Sequence, residues 1–419
     1  MDLLRFFTAG NVDDGKSTLI GRLLFDSDSV STDIIEAITR QSKNKGKDTD
    51  LDLALLTDGL RAEREQGITI DVAYKYFTTE KRKFIIADTP GHTQYTRNMF
   101  TGASTADVAI ILIDIINGIT EQTRRHSIIS SILGIPHVLI CINKMDLVSY
   151  AENAYLDIID EYKKFANGLN LQHLDYIPVS ALEGENIIHP SSKMPWFKGQ
   201  PLLDYLETIK TELQVQSEKA SFQVQYVSNV VHQETNKITR RFMGKIQSGT
   251  YQIGDKVTVW PEGIESEITN IEKYGKRLRK AHSGDVIALQ LGDEVDISRG
   301  NTIVRTQSIP MVTHEFEAKI CWMDNKPFRP GQKLLIQHHA QSTKAKISEI
   351  IHKIDIHTND LLTPDTDQII LNEICVVRLR TAIPLVVDTY DSNRETGSFI
   401  IVDENTNNTV ASGMISRLQ

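Results

Sequence analysis

A glycine-rich segment close to the start of the chain, residues 10–17, has the residue types that hold phosphate groups. It reads Gly-Asn-Val-Asp-Asp-Gly-Lys-Ser, and it lies between an apolar run and an amphipathic helical pattern. The glycines allow backbone N–H groups to wrap the β-phosphate, and the lysine can reach the β- and γ-phosphates. The segment predicts a P-loop, although a glycine-rich turn remains the alternative on this motif alone.

A second motif, Asp88-Thr89-Pro90-Gly91-His92, directly follows the apolar run 84–87. The carboxyl ends of parallel strands are where α/β sheets bind ligands. Asp88 would therefore hold Mg²⁺ through water, and Gly91 can bring its N–H close to a γ-phosphate because it has no side chain. Taken alone, this motif also fits an acidic turn.

The third motif, Asn143-Lys144-Met145-Asp146, also follows an apolar run, and its chemistry selects guanine. The Asp146 carboxylate can accept from N1–H and the 2-amino group of guanine, whereas adenine lacks both donors. A mismatch leaves a buried carboxylate unpaired, which discriminates by roughly 10⁴-fold. The segment Ser180-Ala181-Leu182, after another apolar run, can direct a backbone N–H to guanine O6.

Residues 63–70 lie where a loop that senses the γ-phosphate would be placed, and Thr69 can ligate Mg²⁺ when that loop is closed. Together the motifs predict a GTP site with Mg²⁺ as cofactor. The predicted metal ligands are Ser17, Thr69 and Asp88. The predicted GTP-binding residues are Gly10, Asn11, Val12, Asp13, Asp14, Gly15, Lys16, Ser17, Thr18, Asp88, Thr89, Pro90, Gly91, His92, Asn143, Lys144, Asp146, Ser180, Ala181 and Leu182.

These motifs need a parallel sheet to bring them together, and the first half of the chain has its pattern. Short apolar runs alternate with helical patterns up to about Thr211, which is typical of a doubly wound α/β domain. The predicted strands are 3–9, 72–77, 84–87, 108–113, 138–142 and 176–179. Helical spacing recurs around residues 19–24 and 128–133.

Beyond a polar run, the apolar period changes from helical to alternating, as at Phe222, Val224 and Tyr226. Residues 253–257 place a turn between two strands. Two small antiparallel β-barrels are the expected packing, because closure removes exposed strand edges. The predicted domains are a P-loop GTPase domain at 1–213, a linker at 214–221, and β-barrels at 222–307 and 308–419.

Composition restricts the function classes. A net charge of −9 disfavours broad phosphate-backbone binding, so a nucleic-acid partner is not expected. The three cysteines form no CxxC pair, which argues against a disulfide framework or a zinc site. No run approaches the ~20 apolar residues of a membrane span. A cytoplasmic location without a membrane partner is the expectation.

These residues together resemble the translation-factor class of GTPases, in which two β-barrels follow the GTPase domain. More specifically, the chain resembles the GTPase subunits of heterodimeric bacterial sulfate adenylyltransferases, the CysN family. The subfamily features are Asp14, where elongation factors usually carry histidine, and residues 53–67, 80–88 and 95–99. Residues 296–300 and 393–399 extend the resemblance through both predicted barrels.

The resemblance implies that this chain hydrolyses GTP while a separate catalytic subunit of the CysD type binds ATP and sulfate and forms adenylyl sulfate and pyrophosphate. The pair would form a heterodimer or a higher assembly. His92 would orient the attacking water, with Val12 and Ile68 as flanking apolar residues; an exposed loop histidine is the alternative. The implied catalytic residues are His92, Lys16, Thr69 and Gly91.

Two further points follow from the sequence. Residues 114–118, Asp-Ile-Ile-Asn-Gly, replace a more usual basic sequence, which we expect to alter a partner contact. The competing hypothesis is a translation elongation factor that delivers aminoacyl-tRNA, since it would share the fold, the switch and the GTP site.

Overall fold

The computed structural model describes residues 2–27, 30, 33, 35–36, 53–56, 72–90, 96–210, 219–231, 238–356 and 358–418. The chain forms two compact units. The first contains Met1–Glu212 together with Asp355–Asp360, and the second contains Leu213–Ile354 and Leu361–Gln419.

The first unit is built on a six-stranded sheet of order β2-β3-β1-β4-β5-β6. All neighbouring pairs are parallel except β2 and β3. Parallel pairing places the carboxyl ends of β1, β3, β4, β5 and β6 at one edge of the sheet. The strands are β1 (Asp2–Ala9), β2 (Ala73–Thr78), β3 (Arg82–Asp88), β4 (Val108–Asp114), β5 (His137–Asn143) and β6 (His173–Pro178).

Five α-helices are described in this unit: α1 (Lys16–Asp26), α2 (Thr96–Ala103), α3 (Glu121–Ile132), α4 (Glu152–Ala166) and α5 (Leu202–Thr208). Short 3-10 helices cover Leu53–Leu56 and Met145–Val148. The strands β4 and β5 are buried along their whole length, as expected for central strands covered on both faces. Leu19, Ile20, Leu23 and Leu24 form the buried face of α1 against this sheet.

The second unit contains two closed barrels of antiparallel strands. In the first barrel, six strands close in the order β11-β16-β7-β9-β15-β12, and β12 returns to β11. Its core includes Phe222, Tyr251 and Ile303. The ring strands are β7 (Ser221–Gln223), β9 (Ile238–Ser248), β11 (Lys256–Trp260), β12 (Ile264–Lys273), β15 (Val286–Leu291) and β16 (Thr302–Arg305). Short strands β8 (Tyr226–Val231), β10 (Thr250–Gln252), β13 (Lys276–Leu278) and β14 (Lys280–His282) flank the ring.

The second barrel closes in the order β18-β22-β23-β17-β21-β19, with β19 pairing back to β18. Phe316, Trp322 and Ile401 lie in its core. The ring strands are β17 (Met311–Trp322), β18 (Leu334–His338), β19 (Gln341–Ile354), β21 (Ile374–Val387), β22 (Ser398–Asp403) and β23 (Thr409–Leu418), and β20 (Leu361–Leu362) pairs with β19.

The predicted fold class is confirmed: an α/β domain with a mostly parallel sheet precedes two small antiparallel β-barrels in the chain. The predicted alternation at residues 222–226 holds only in part, because Phe222 and Val224 are buried but Tyr226 is 63% exposed. The chain leaves β7 after Gln223 and resumes pairing with β9 at Tyr226, so the facing pattern changes between them. The predicted domain boundaries stay predictions.

In the part of the chain that the structure describes, no helix is long and apolar enough to cross a membrane.

A close backbone approach in the first barrel gives a stability prediction. A Cβ at Gly244 in β9 would lie 2.0 Å from the Gln223 carbonyl oxygen and 3.1 Å from Phe222 Cζ. We expect Gly244→Ala to destabilise the barrel by about 1–3 kcal/mol, as overpacking does, and to lower its melting temperature in calorimetry. Gly292→Ala is the matched control, because its nearest neighbour is Thr269 Cγ2 at 3.4 Å. Equal melting temperatures for the two variants would contradict this packing.

Candidate nucleotide site

The glycine-rich segment forms the loop between β1 and α1. Gly15 caps the helix in a left-handed conformation, with φ of 92°. A Cβ at this position would lie only 2.4 Å from the side-chain nitrogen Nδ2 of Asn143. Gly15 is therefore required both by the backbone angle and by the amide packed against it. The loop leads directly into a helix N-terminus, whose unpaired N–H groups and dipole favour an anion.

The Lys16 side chain spans this loop. It is 8% exposed, and its ammonium donates to the carbonyl oxygens of Gly10 at 3.1 Å and Asn11 at 2.7 Å. Burial lowers the pKa of Lys16, and nearby carboxylates, chiefly that of Asp88, oppose the shift. The chain thus holds a buried cation directly over the loop that is predicted to bind phosphate.

Asp88 lies at the end of β3, opposite Thr8 in the parallel register with β1. Thr8 Oγ1 donates to Asp88 Oδ1 at 3.2 Å, and Thr89 Oγ1 donates to the Thr8 carbonyl at 2.5 Å. Pro90 is buried beside them. These bonds fix the carboxylate next to the strand that leads into the P-loop, as its predicted role requires.

Asn143, at the end of β5, connects two loops. Its Nδ2 donates to the Asp14 carbonyl at 2.8 Å, and its Oδ1 accepts from the Ala181 N–H at 2.9 Å. The side chain is 2% exposed, so both bonds are shielded from water. Asn143 therefore joins the predicted phosphate loop to the predicted guanine loop.

The predicted base-recognition carboxylate, Asp146, is held by the loop after β6. Ser180 Oγ donates to Asp146 Oδ1 at 2.6 Å. No described residue donates to the other oxygen, Oδ2, which leaves an acceptor for a base edge. Lys144 adopts a left-handed conformation with φ of 66°, which turns the chain between Asn143 and Asp146. Leu182 is 54% exposed at the same loop.

The structure thus brings residues 10–18, 88–90, 143–146 and 180–182 to the edge formed by the strand carboxyl ends. Thr69, Gly91 and His92 lie outside the described residues, and their roles stay predictions.

Comparison with known proteins shows the family of the chain. The family model of the elongation factor Tu GTP binding domain matches residues 1–231, and that of the GTP-eEF1A C-terminal domain-like family matches residues 315–416. "Sulfate adenylyltransferase subunit 1" from Shewanella woodyi is 49% identical, over 99% of this chain and 87% of its own length. The protein of the same name from Alteromonas mediterranea is 47% identical, with the same coverage. The chain belongs to this family.

A solved structure shares the fold. The Ski7 GTPase-like domain of S. cerevisiae, determined with GTP bound, matches 99% of this chain and 97% of its own with a TM-score of 0.52. Its sequence identity is 17%, so the likeness concerns the fold alone. The family names of the relatives favour sulfate activation over the alternative of aminoacyl-tRNA delivery.

Two residues of this chain, Asp114 and Arg22, form contacts that were not predicted from the sequence. Asp114 is 3% exposed and forms an ion pair with Lys144 at 2.8 Å. It also accepts from the Ile116 N–H at 2.8 Å, so the departure at 114–118 retains a carboxylate that braces the guanine motif. Arg22 on α1 donates to the carbonyl oxygens of Ala181, at 3.3 Å, and of Leu182. The position of Asp114 at a strand end could have indicated its role. No such signal exists for Arg22, because its partner Ala181 lies 159 residues away in the sequence.

Asp14, the residue at which the sequence resembles the subfamily and differs from elongation factors, is buried within the P-loop. It is 1% exposed, and its Oδ2 accepts from the Asn11 N–H at 2.5 Å. Burial raises the pKa of this carboxyl to about 6, although the Asn11 bond and the Lys16 charge oppose the shift. An ionised and a neutral form of Asp14 are therefore both accessible near neutral pH.

The geometry at Asp146 predicts a change of base specificity. In an Asp146→Asn variant, the new side-chain amide can donate to the 2-oxo group of xanthine, which a carboxylate repels. We expect the preference for GTP over XTP to invert, with a swing of at least about 10²-fold in competition binding. Asp160→Asn on the exposed side of α4 is the matched control and should keep the preference for GTP. A folded Asp146→Asn protein that still prefers GTP would exclude Asp146 from the base edge.

Proposed function

We propose that this chain is the GTP-hydrolysing regulatory subunit of a sulfate adenylyltransferase. A separate catalytic subunit would join sulfate to the AMP moiety of ATP, releasing pyrophosphate. The sulfate-phosphate anhydride is strongly unfavourable to form from ATP alone, and coupling to GTP hydrolysis would shift that equilibrium. The observation that supports this most strongly is the 49% identity, over 99% of the chain, to a protein named as subunit 1 of that enzyme.

In this proposal, different residues bind the phosphates and the base of the nucleotide. The N–H groups of residues 10–18 would bind the phosphates, and Lys16 would leave its loop carbonyls to pair with the β- and γ-phosphates. Asp146 would bind the guanine N1–H and 2-amino group, while the N–H of Ala181 or Leu182 would face O6. Support comes from Asn143, whose two hydrogen bonds hold these halves together.

Magnesium would be held by Ser17 and Asp88, with Thr69 as a further ligand. The donor set fits this ion, because all three side chains offer hard oxygen atoms. Asp88 is fixed at the end of β3 by Thr8 and is close enough to Lys16 to influence its charge state. Among the described residues, no three His, Cys, Asp or Glu side chains form a metal cluster. Such a site suits Mg²⁺, which usually keeps waters and substrate phosphates as ligands and neutralises their charge.

Hydrolysis would depend on His92, which follows the β3 motif directly and would orient the attacking water. Gly91 and Thr69 would sense the γ-phosphate, and Val12 and Ile68 would restrict entry of the histidine. Phosphoryl transfer is mostly positioning and charge stabilisation, so turnover without a partner should be slow.

The partner would be a catalytic subunit of the CysD type that binds ATP and sulfate, in a heterodimer or a larger assembly. The word "subunit" in the relatives' name supports a partner. The present sequence also has no second P-loop and no HxGH-type nucleotidyl-transfer motif. We place this assembly in the cytoplasm, where ATP and GTP are both supplied.

Coupling is the test of this function. We expect phosphate release from GTP to be slow for this chain alone, to rise with the catalytic subunit, and to rise further when ATP and sulfate are both present. GTP should in turn raise adenylyl sulfate formation, because hydrolysis can supply free energy that bound triphosphate alone cannot. Both products are measured in one reaction, with sulfate omitted, GTP omitted, or a non-hydrolysable GTP analogue substituted.

A matched control uses the Asp146→Asn variant in the same assay, where XTP in place of GTP should restore the stimulation. That outcome shows that the effect passes through this nucleotide site. If GTP hydrolysis ignores the partner, ATP and sulfate, and adenylyl sulfate formation ignores GTP, the sulfate-activation function is wrong even though a GTP site remains.

A further inference from the structure

Only one of the two carboxyl oxygens of Asp14 has a hydrogen-bond partner among the described residues. Its Oδ2 accepts the Asn11 N–H, but no described residue forms a hydrogen bond with its buried Oδ1. An ionised carboxylate in such a place lacks the full set of donors that normally compensates burial. The neutral form needs less compensation, and it can still accept from Asn11 through its carbonyl oxygen.

The charged groups around Asp14 act on its carboxylate in opposite directions. Lys16 on α1 attracts its negative charge, as does Lys144 after β5, whereas Asp114 at the end of β4 repels it. Both lysines already have other acceptors: Lys16 the carbonyls of the loop, and Lys144 the Asp114 carboxylate. The compensation for an ionised Asp14 is therefore shared and indirect.

Further titratable groups interact with the charge of Lys16 and so act on Asp14 indirectly. Asp13 in the loop and Asp88 at the end of β3 both interact with the Lys16 charge. His126 on α3 also lies within electrostatic reach of Lys16, and burial lowers the pKa of His126 to about 3. His126 thus stays neutral at neutral pH and cannot account for titration there.

We propose that Asp14 takes up a proton when GTP binds, so that this buried carboxyl couples nucleotide affinity to pH. The inference rests on the proposed GTP site in one respect, namely that the phosphates bind the loop that contains Asp14. They would bring several negative charges close to the carboxyl and draw the Lys16 ammonium toward themselves. Magnesium would offset part of the phosphate charge, but its complex with GTP stays anionic. Both changes therefore favour the neutral form, and the proton comes from solvent.

The sign of the pH dependence follows. In the free protein the pKa of Asp14 is about 6, and the bound phosphates would raise it further. Between the free and bound values, binding takes up a proton, so affinity falls as pH rises by at most about tenfold per pH unit. Below the free value Asp14 is already neutral in both states, and its contribution to the slope vanishes.

The experiment compares the Kd for GTP with magnesium from pH 6 to 8.5 in the wild-type protein and two variants. Asp14→Asn mimics the neutral carboxyl, and Asp160→Asn removes an equal charge from the exposed side of α4. We expect the wild-type Kd to rise about fivefold more than that of Asp14→Asn over this range, for a bound-state shift of one pKa unit. Asp14→Asn should bind more tightly than wild type at pH 8.5, and Asp160→Asn should keep the wild-type slope.

Titration of GTP itself, and of any other group, is common to the three proteins and cancels in the comparison. Calorimetry at pH 7 in buffers of different ionisation enthalpy gives a second readout, the protons taken up by wild-type protein beyond those taken up by GTP. This readout needs no variant, so an absence of excess uptake excludes the coupling even if Asp14→Asn fails to fold.

Parallel pH profiles for wild type and Asp14→Asn, or no excess proton uptake, would overturn the coupling while leaving the GTP site intact. Absence of GTP binding at every pH in all three proteins is a different result. It would overturn the proposed site, and the coupling with it.

Discussion

The side-chain amide of Asn143 is the interaction on which the nucleotide edge depends. The loops that follow β1 and β6 are separated by three strand spacings in the sheet, about 14 Å in total. Asn143, from β5 between them, uses its donor on one loop and its acceptor on the other. Its burial makes both bonds costly to leave unmade. A single amide therefore links the predicted phosphate-binding and base-binding loops across this separation.

Other features of the site follow from this constraint. The amide occupies the space of a Gly15 side chain, so the glycine at the start of α1 is needed by its neighbour as well as by its own backbone angle. Arg22, further along α1, adds a second connection to the loop at 181–182. The Asp114–Lys144 pair braces the other side of the guanine motif. The loops of the site are therefore held together by polar contacts, while Ala181 among them also packs into the apolar core.

Much of this could be predicted from the sequence because a parallel sheet obeys a strong rule. Apolar runs identified the strands, and motifs placed directly after them had to meet at one edge. Contacts between loops far apart in sequence do not follow from that rule. Arg22 has no motif around it, and the partners of Asp114 depend on how the chain turns after β4. The exposure of Tyr226 could not be predicted either. The break between β7 and β8 shifts the alternation of buried and exposed residues without a change in amino-acid composition.

The central claim, that Asn143 assembles the two halves of the site, is tested most directly by the equilibrium affinity of Asn143→Ala for GTP. Loss of two buried hydrogen bonds should weaken binding by about 2–3 kcal/mol, or roughly 30- to 150-fold in Kd. Asn153→Ala, on the exposed side of α4, should bind GTP as the wild type does. A folded Asn143→Ala protein, with an unchanged circular dichroism spectrum and a Kd within about threefold of wild type, would contradict the account.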